Sequence, residues 1–223
     1  MTLDIKSFAG MRREDICKKL KHEGYEILRR GALCSVFHQA GSDQVVRVSM
    51  TPKTAAFYCD YMMNQADNPY LPKIYEHVTI SDSAHVALTE KLVSLEELAE
   101  EEENYIRLGM ARAIASFAFG DEIHQSFHEE LAKEGQFIEA VRILTDCARQ
   151  SLHQLRSEGE CLFLDRDVDG ILFRSGQNGQ LSPVFANTLC YTTPAAGLET
   201  EFDNILHRVQ ILEALHLKQQ GPA

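Results

Sequence analysis

Strand-like and helix-like segments are segregated along this chain, and that segregation restricts the fold more than any single motif does. Short apolar runs at 25–28, 34–39, 44–50, 73–80 and 85–92 read as strands, with one helical pattern at 52–66 set among them. From residue 95 onward helical periodicity dominates, broken by a few short strand-like runs between 161 and 191. Strands gathered first and helices after predict an α+β fold with an antiparallel sheet, not an alternating parallel one.

The punctuation agrees. A first helix at 12–23 stops at Gly24, and Ala40-Gly-Ser-Asp43 reads as a hairpin turn. Gly31 lies in the first strand connection. Pro52 suits the first turn of a helix that carries Phe57, Tyr61 and Met62 on one side. Asp67-Asn-Pro-Tyr-Leu-Pro72 breaks that helix, and Ser81-Asp-Ser83 joins the last two strands of the first half. The acidic run Leu95 to Asn104 reads as a solvated helical face, or alternatively as a docking strip for basic sequence. Helices are predicted at 106–118 and 129–156, the second with Ile138, Val141, Leu144, Ala148, Leu152 and Leu155 as its stripe and Gly159 beyond its end. A last helix at 202–217 buries Phe202, Ile205, Leu206, Val209, Leu212 and Leu215.

Charge and cysteine usage exclude several classes. A net charge of −11 disfavours nucleic-acid binding, and the one dense basic stretch, Arg12 to Lys21, is diluted by Glu14 and Asp15. The six cysteines (17, 34, 59, 147, 161, 190) have no CxxC and no metal-ligand spacing, which reads as reduced thiols in a cytoplasmic protein. The sequence offers neither a signal-peptide core nor a run of transmembrane length. Histidines 124, 128, 153, 207 and 216 lie on predicted helices or their edges with no HExxH spacing, and Ser35 and Ser182 lack a nucleophile-elbow context.

The segment Phe163-Leu-Asp-Arg-Asp-Val-Asp-Gly-Ile-Leu-Phe-Arg174 concentrates three carboxylates before an apolar strand. Asp165, Asp167, Asp169 and Gly170 match the first half of a calcium loop, but Gly176 stands where the bidentate Glu is required and a Gly/Asn-rich turn replaces the exiting helix. The same residues also fit a phosphotransfer loop: Asp165 as base, a short strand Ile171-Leu-Phe173, a turn, and Leu181-Ser-Pro-Val-Phe-Ala-Asn187. A third reading makes the three aspartates turn-formers with local backbone hydrogen bonds.

The ordered series resembles the protein-kinase fold, and within it the early protein kinases of short-tailed coliphages. Gly31-Ala-Leu-Cys-Ser-Val-Phe37 resembles the phosphate-covering loop, and Val45-Val-Arg-Val48 the strand that carries the phosphate-binding Lys. Pro69-Tyr-Leu-Pro-Lys-Ile-Tyr75 resembles the connection after the first helix, and Phe185-Ala-Asn-Thr-Leu-Cys-Tyr191 the metal-binding segment. The resemblance implies a bilobal molecule, with a small antiparallel β-sheet lobe at 1–94 and a shortened, mainly helical lobe at 95–223. It implies ATP and Mg²⁺ as cofactors, with Gly31, Val36, Arg47 and Glu90 at the nucleotide, Asp165 as catalytic base, and Asp167, Asp169 and Asn187 at the metal. It also implies a phage protein acting on a host protein in the host cytoplasm, with neither nucleic acid nor membrane as partner.

The departures from the family pattern bear on activity. Arg47 stands in the Lys position, which exchanges a compact ammonium for a planar fork. The helix at 52–66 offers only Asp60 as its acidic partner, a shorter arm than Glu, and the alternative to a phosphate-binding Arg47 is a purely structural Arg47–Asp60 bridge. Phe163 occupies a His position, Gly170 a metal-binding Asn position and Asn187 a metal-binding Asp position, where Asn187 can alternatively cap a turn. Loss of two metal ligands removes most of the charge stabilisation of phosphoryl transfer. Two readings follow: a pseudokinase that acts by binding, or an atypical Ser/Thr kinase that uses Asp165 as base and Asp167/Asp169 for metal.

Overall fold

The computed structural model describes residues 3–65, 67–94, 97–98, 109, 132–165, 170–175, 181–186 and 189–220. The chain divides into two compact units, Met1–Ala66 with Pro72–Lys91, and Asp67–Leu71 with Leu92–Ala223. The fold class is α+β.

The first unit is an antiparallel sheet of β1 (Glu26–Arg30), β2 (Cys34–His38), β3 (Gln44–Ser49), β4 (Ile74–Ser81) and β5 (Ala84–Glu90) in the order β1-β2-β3-β5-β4. Helix α1 (Arg13–His22) ends in a Schellman motif: Gly24 at φ 86° sends its N–H to Lys21, and Tyr25 sends its own to Leu20. Tyr25 is thereby spent on the helix end, so β1 begins one residue later than the pattern predicted. Ile5, Phe8, Ile16, Leu20, Phe37, Val46, Val48, Val86 and Leu88 build the core on this face of the sheet. Helix α2 (Pro52–Met63) packs against β4 and β5, with Pro52 in its first turn. Strand β5, between β3 and β4, is buried at every position, whereas the edge strand β1 is exposed throughout.

The second unit contains α3 (Gly135–Gln154), two antiparallel pairs, and α4 (Leu198–Gln219). One pair joins β6 (Cys161–Leu164) to β9 (Leu189–Thr192); the other joins β7 (Ile171–Ser175) to β8 (Leu181–Phe185). Val93 bridges Phe173 through reciprocal amide bonds of 2.8 Å. The segment 67–71 belongs to this unit for identifiable reasons. Arg174 donates to the carbonyls of Pro69 and Leu71 at 2.6 and 3.0 Å, Asn68 donates to the Gln136 carbonyl at 3.0 Å, and Phe185 donates to the Tyr70 carbonyl at 2.8 Å.

Helix boundaries differ from expectation at several ends, and α2 stops at Met63, three residues short of the predicted 66. The pattern predicted 129–156, but α3 begins at Gly135; residues 132–133 form a turn, and the Ala132 carbonyl is taken by His216 Nδ1 at 2.6 Å. Beyond Gln154 the chain tightens into a 3-10 turn, Arg156–Glu158, closed by Gly159 at φ 73°. Helix α4 starts four residues before the predicted 202, at Leu198 after Gly197 with φ 96°. That added turn is polar, with Glu199 and Glu201 suited to a helix N-terminus, and carries no apolar stripe for periodicity to detect. The stripe itself is buried at Phe202, Ile205, Val209 and Leu212, with Leu206 and Leu215 half-buried. The predicted helix 106–118 and most of the acidic run lie outside the described residues. Among the described residues, no helix is long and apolar enough to cross a membrane.

Candidate functional site

Alternation sorts the first unit's sheet into two chemically different faces. The face toward α1 is mainly hydrocarbon, with Ser35 there accepting from Arg13 at 3.0 Å. The face toward α2 carries Cys34, Val36, Arg47, Ser49, His77, His85 and Ala87, because Val36 is paired with Arg47, Arg47 with Ala87, Ala87 with His77, and Cys34 with Ser49 and then His85. Polar groups rarely crowd a buried sheet face without a mutual arrangement.

Arg47 sits half-buried at the centre of this face. Its surroundings act in opposite directions: burial disfavours its charge, whereas Cys34, Tyr58 and Cys59 favour it, and the balance moves its pKa upward. The expected bridge to Asp60 is not what forms. Asp60 pairs with His77, Oδ1 to Nε2 3.1 Å, because its side chain leans to the exposed rim of α2 where β4 runs past. His77 Nδ1 in turn lies 3.2 Å from His85 Nε2. His85 is 1% exposed; burial first, then His77 and Arg47, push its pKa down to about 4. Cys59, on α2, is pushed up to about 12 by burial against the opposing pull of Arg47.

The remaining residues expected at a nucleotide have ordinary local duties. Gly31 closes the β1–β2 connection through its N–H to the Cys34 carbonyl at 2.8 Å, and a Cβ there would lie 3.5 Å from that oxygen. Glycine is not sterically required at this position. Val36 is half-buried on β2. Glu90 is 7% exposed and accepts the Lys73 N–H at 2.8 Å, while its own N–H returns to the Lys73 carbonyl at 3.0 Å. Its carboxylate thereby ties the end of β5 to the start of β4.

In the second unit, Asp165 follows directly on β6 and accepts a hydrogen bond from the Cys190 thiol, Sγ to Oδ2 3.0 Å. Gly170 precedes β7. Asp167, Asp169 and Asn187 lie outside the described residues.

The grouping that sequence reasoning missed is Cys59, His77 and His85, whose ligand atoms all lie within 4.8 Å of one another. No short spacing announces it, because Cys59 stands on a helix and the two histidines on strands. The available signal was the Ser81–Ser83 turn: folding β4 back on β5 across it brings positions 77 and 85 diagonally together on one face.

No protein-family model matches this chain. No curated protein matches it either. Among solved structures, it is similar to the aminoglycoside phosphotransferase APH(3'')-Id from Streptomyces rimosus, with 13% identity over 96% of this chain and 93% of that one and a TM-score of 0.40. It is similar to the aminoglycoside phosphotransferase APH(4)-Ia, with 16% identity over 89% and 84% of the two chains and a TM-score of 0.38. The Cydia pomonella granulovirus kinase PK-1 aligns at 13% identity over 81% of this chain and 59% of its own, with a TM-score of 0.36. Likeness at these levels transfers no activity, ligand or residue role. The described elements form an α+β chain that runs as a helix, three strands, a helix, two strands, and then two long helices with small β-pairs between them.

Proposed function

We propose that this chain is a kinase-like protein with little capacity for phosphoryl transfer, acting by binding a protein of the host cell. The observation that carries this reading is the setting of Arg47. A phosphotransfer site of this kind needs a cation held toward phosphate by a carboxylate on the following helix. Here the one acid of α2, Asp60, is engaged with His77, and Arg47 lies among Cys34, Tyr58 and Cys59. Gly170, in the position of a metal-binding Asn, brings no side chain to a metal. Asp165 has a thiol on its carboxylate, and Glu90 a backbone amide.

The phage and host assignments rest on the sequence resemblance described above. The surplus negative charge of −11 suits a basic partner surface. A second reading, an atypical Ser/Thr kinase, is favoured by Asp165 standing at the end of β6 with a short strand, β7, after it.

A thermal-shift titration with ATP, alone and with Mg²⁺ or Mn²⁺, separates the two, since a ligand that binds only the folded state raises its melting temperature with concentration. The first reading expects no shift at millimolar nucleotide and no phosphate incorporation. A metal-dependent rise, with labelling of the protein or a host protein that Asp165→Asn abolishes, overturns it in favour of the kinase.

A further inference from the structure

We propose that Cys59, His77 and His85 form a binding site for a divalent metal of the zinc type, with Asp60 orienting His77 and water filling the remaining position. The donors come from α2, β4 and β5, and they converge within 4.8 Å. Tetrahedral zinc holds its ligands at about 2.0–2.3 Å, which separates neighbouring donor atoms by about 3.3–3.6 Å. The His77 Nδ1 to His85 Nε2 edge, at 3.2 Å, already has that length. The edges to sulfur lie within 4.8 Å, and rotation of the Cys59 side chain about its single rotatable bond adjusts them.

The donor set selects the metal. One thiolate and two imidazoles suit zinc, cobalt or copper and are poor ligands for Mg²⁺ or Ca²⁺, which require oxygen. The surroundings supply what metal sites usually have beyond their ligands. Asp60 accepts from His77 Nε2 at 3.1 Å, which fixes the ring and leaves Nδ1 to face His85. Charge balances as well. The Cys59 thiolate and the Asp60 carboxylate together offset both charges of the cation, so Arg47, which lies near His85 and Cys59, borders a neutral assembly. On binding, the Cys59 Sγ–H bond gives its proton to solvent and the sulfur electron pair goes to the metal; nothing is oxidised or reduced. The approach is from the Asp60 side, where that side chain is 74% exposed; His77 is half-buried behind it, and Cys59 and His85 form a dry floor.

The competing arrangement is a hydrogen-bonded histidine pair that takes no metal. The two differ in spectroscopy. The full chain, freed of metal by a chelator, is titrated with Co²⁺ and then with Zn²⁺ in competition. The proposal expects stoichiometric binding, the visible bands of tetrahedral cobalt and a thiolate-to-cobalt charge-transfer band, all displaced by Zn²⁺. Cys59→Ser removes the charge-transfer band, while Cys17→Ser, a control on α1, keeps it. Asp60→Asn retains the bands but weakens binding by about ten- to a hundredfold. Folded protein that binds no cobalt overturns the proposal, as does a charge-transfer band that survives in Cys59→Ser. If Cys59→Ser fails to fold, His77→Gln, at the half-buried ligand beside the Asp60 rim, decides, and unchanged affinity and bands in that variant overturn the site.

Discussion

The Cys190 thiol is hydrogen-bonded to the Asp165 carboxylate at 3.0 Å, because β6 and β9 pair with Phe163 opposite Cys190, and Asp165, two residues on, points to the same face. Asp165 was selected from sequence as a base on its position alone. The pairing gives that carboxylate a structural partner from a segment 25 residues away. Cys190→Ala removes the donor and is expected to lower unfolding free energy by about 0.5–1.5 kcal/mol, the ordinary net worth of such a bond. Cys190→Ser, which retains a donor, is expected to recover most of that loss. Urea denaturation of the three proteins checks both.

Ser151 makes a larger contribution for a smaller side chain. It is fully buried on α3, donates to the Ala148 carbonyl at 2.7 Å and accepts the Leu162 N–H at 2.7 Å. The hydroxyl thereby satisfies the amide of a β6 residue. Ser151→Ala leaves that amide buried without its acceptor and is expected to destabilise by about 1–3 kcal/mol. Ser151→Thr, which keeps the oxygen but adds a methyl to a filled site, separates the hydrogen-bond loss from overpacking when both are measured by denaturant midpoint.

Two glycines are expected to respond oppositely to alanine. At Gly135 a Cβ would lie 2.6 Å from His216 Nε2, and that ring is held by Ala132 on one side and Gln220, at 2.7 Å, on the other. Gly135→Ala forces the ring off these partners and is expected to cost about 1–3 kcal/mol, despite alanine's better helix propensity. At Gly31 the added methyl has ordinary clearance, so Gly31→Ala is expected to stay within about 0.5 kcal/mol of the parent. Melting temperatures of the two variants test the contrast.

Tyr70 supplies a pH dependence. Its phenol donates to Glu134 Oε2 at 3.2 Å, and burial first, then that carboxylate, push its pKa up to about 12 from an ordinary 10.0. The folded state thus favours the neutral phenol. The stability Tyr70 contributes is present in full below about pH 10 and is lost as pH rises toward about 12, where the folded protein too gives up the proton. Phenolate absorbance of the folded protein is expected to show Tyr70 titrating late, toward about pH 12. Tyr70→Phe is expected to remove that late step and flatten the alkaline fall in stability.

Much of the architecture was legible because it depends on local signals. Pro52 at a helix start, Gly24 at a helix end and the short apolar runs of β2 and β3 act over a few residues, and each is present in the structure. The start of α3 moved because a distant partner, His216 on α4, takes the Ala132 carbonyl, whereas α4 gained a polar first turn after Gly197 that carries no apolar stripe to detect. Among candidate site residues, positions in the strand order were legible for Arg47 and Asp165, but their partners were not. The Arg47–Asp60 bridge was inferred from acid and base lying on adjacent elements. Which acid reaches which base depends on side-chain direction across a helix–sheet interface, and there His77 holds Asp60.

The sequence by itself determined the order of strands and helices, and hence an α+β class, because backbone preference and apolar periodicity are properties of neighbouring residues. Only the tertiary structure decided that Cys59, His77 and His85 share one buried corner and that Cys190 reaches Asp165. Those associations are set by strand register and helix placement, and a register is fixed by burying a whole face at once rather than by any residue that takes part in it.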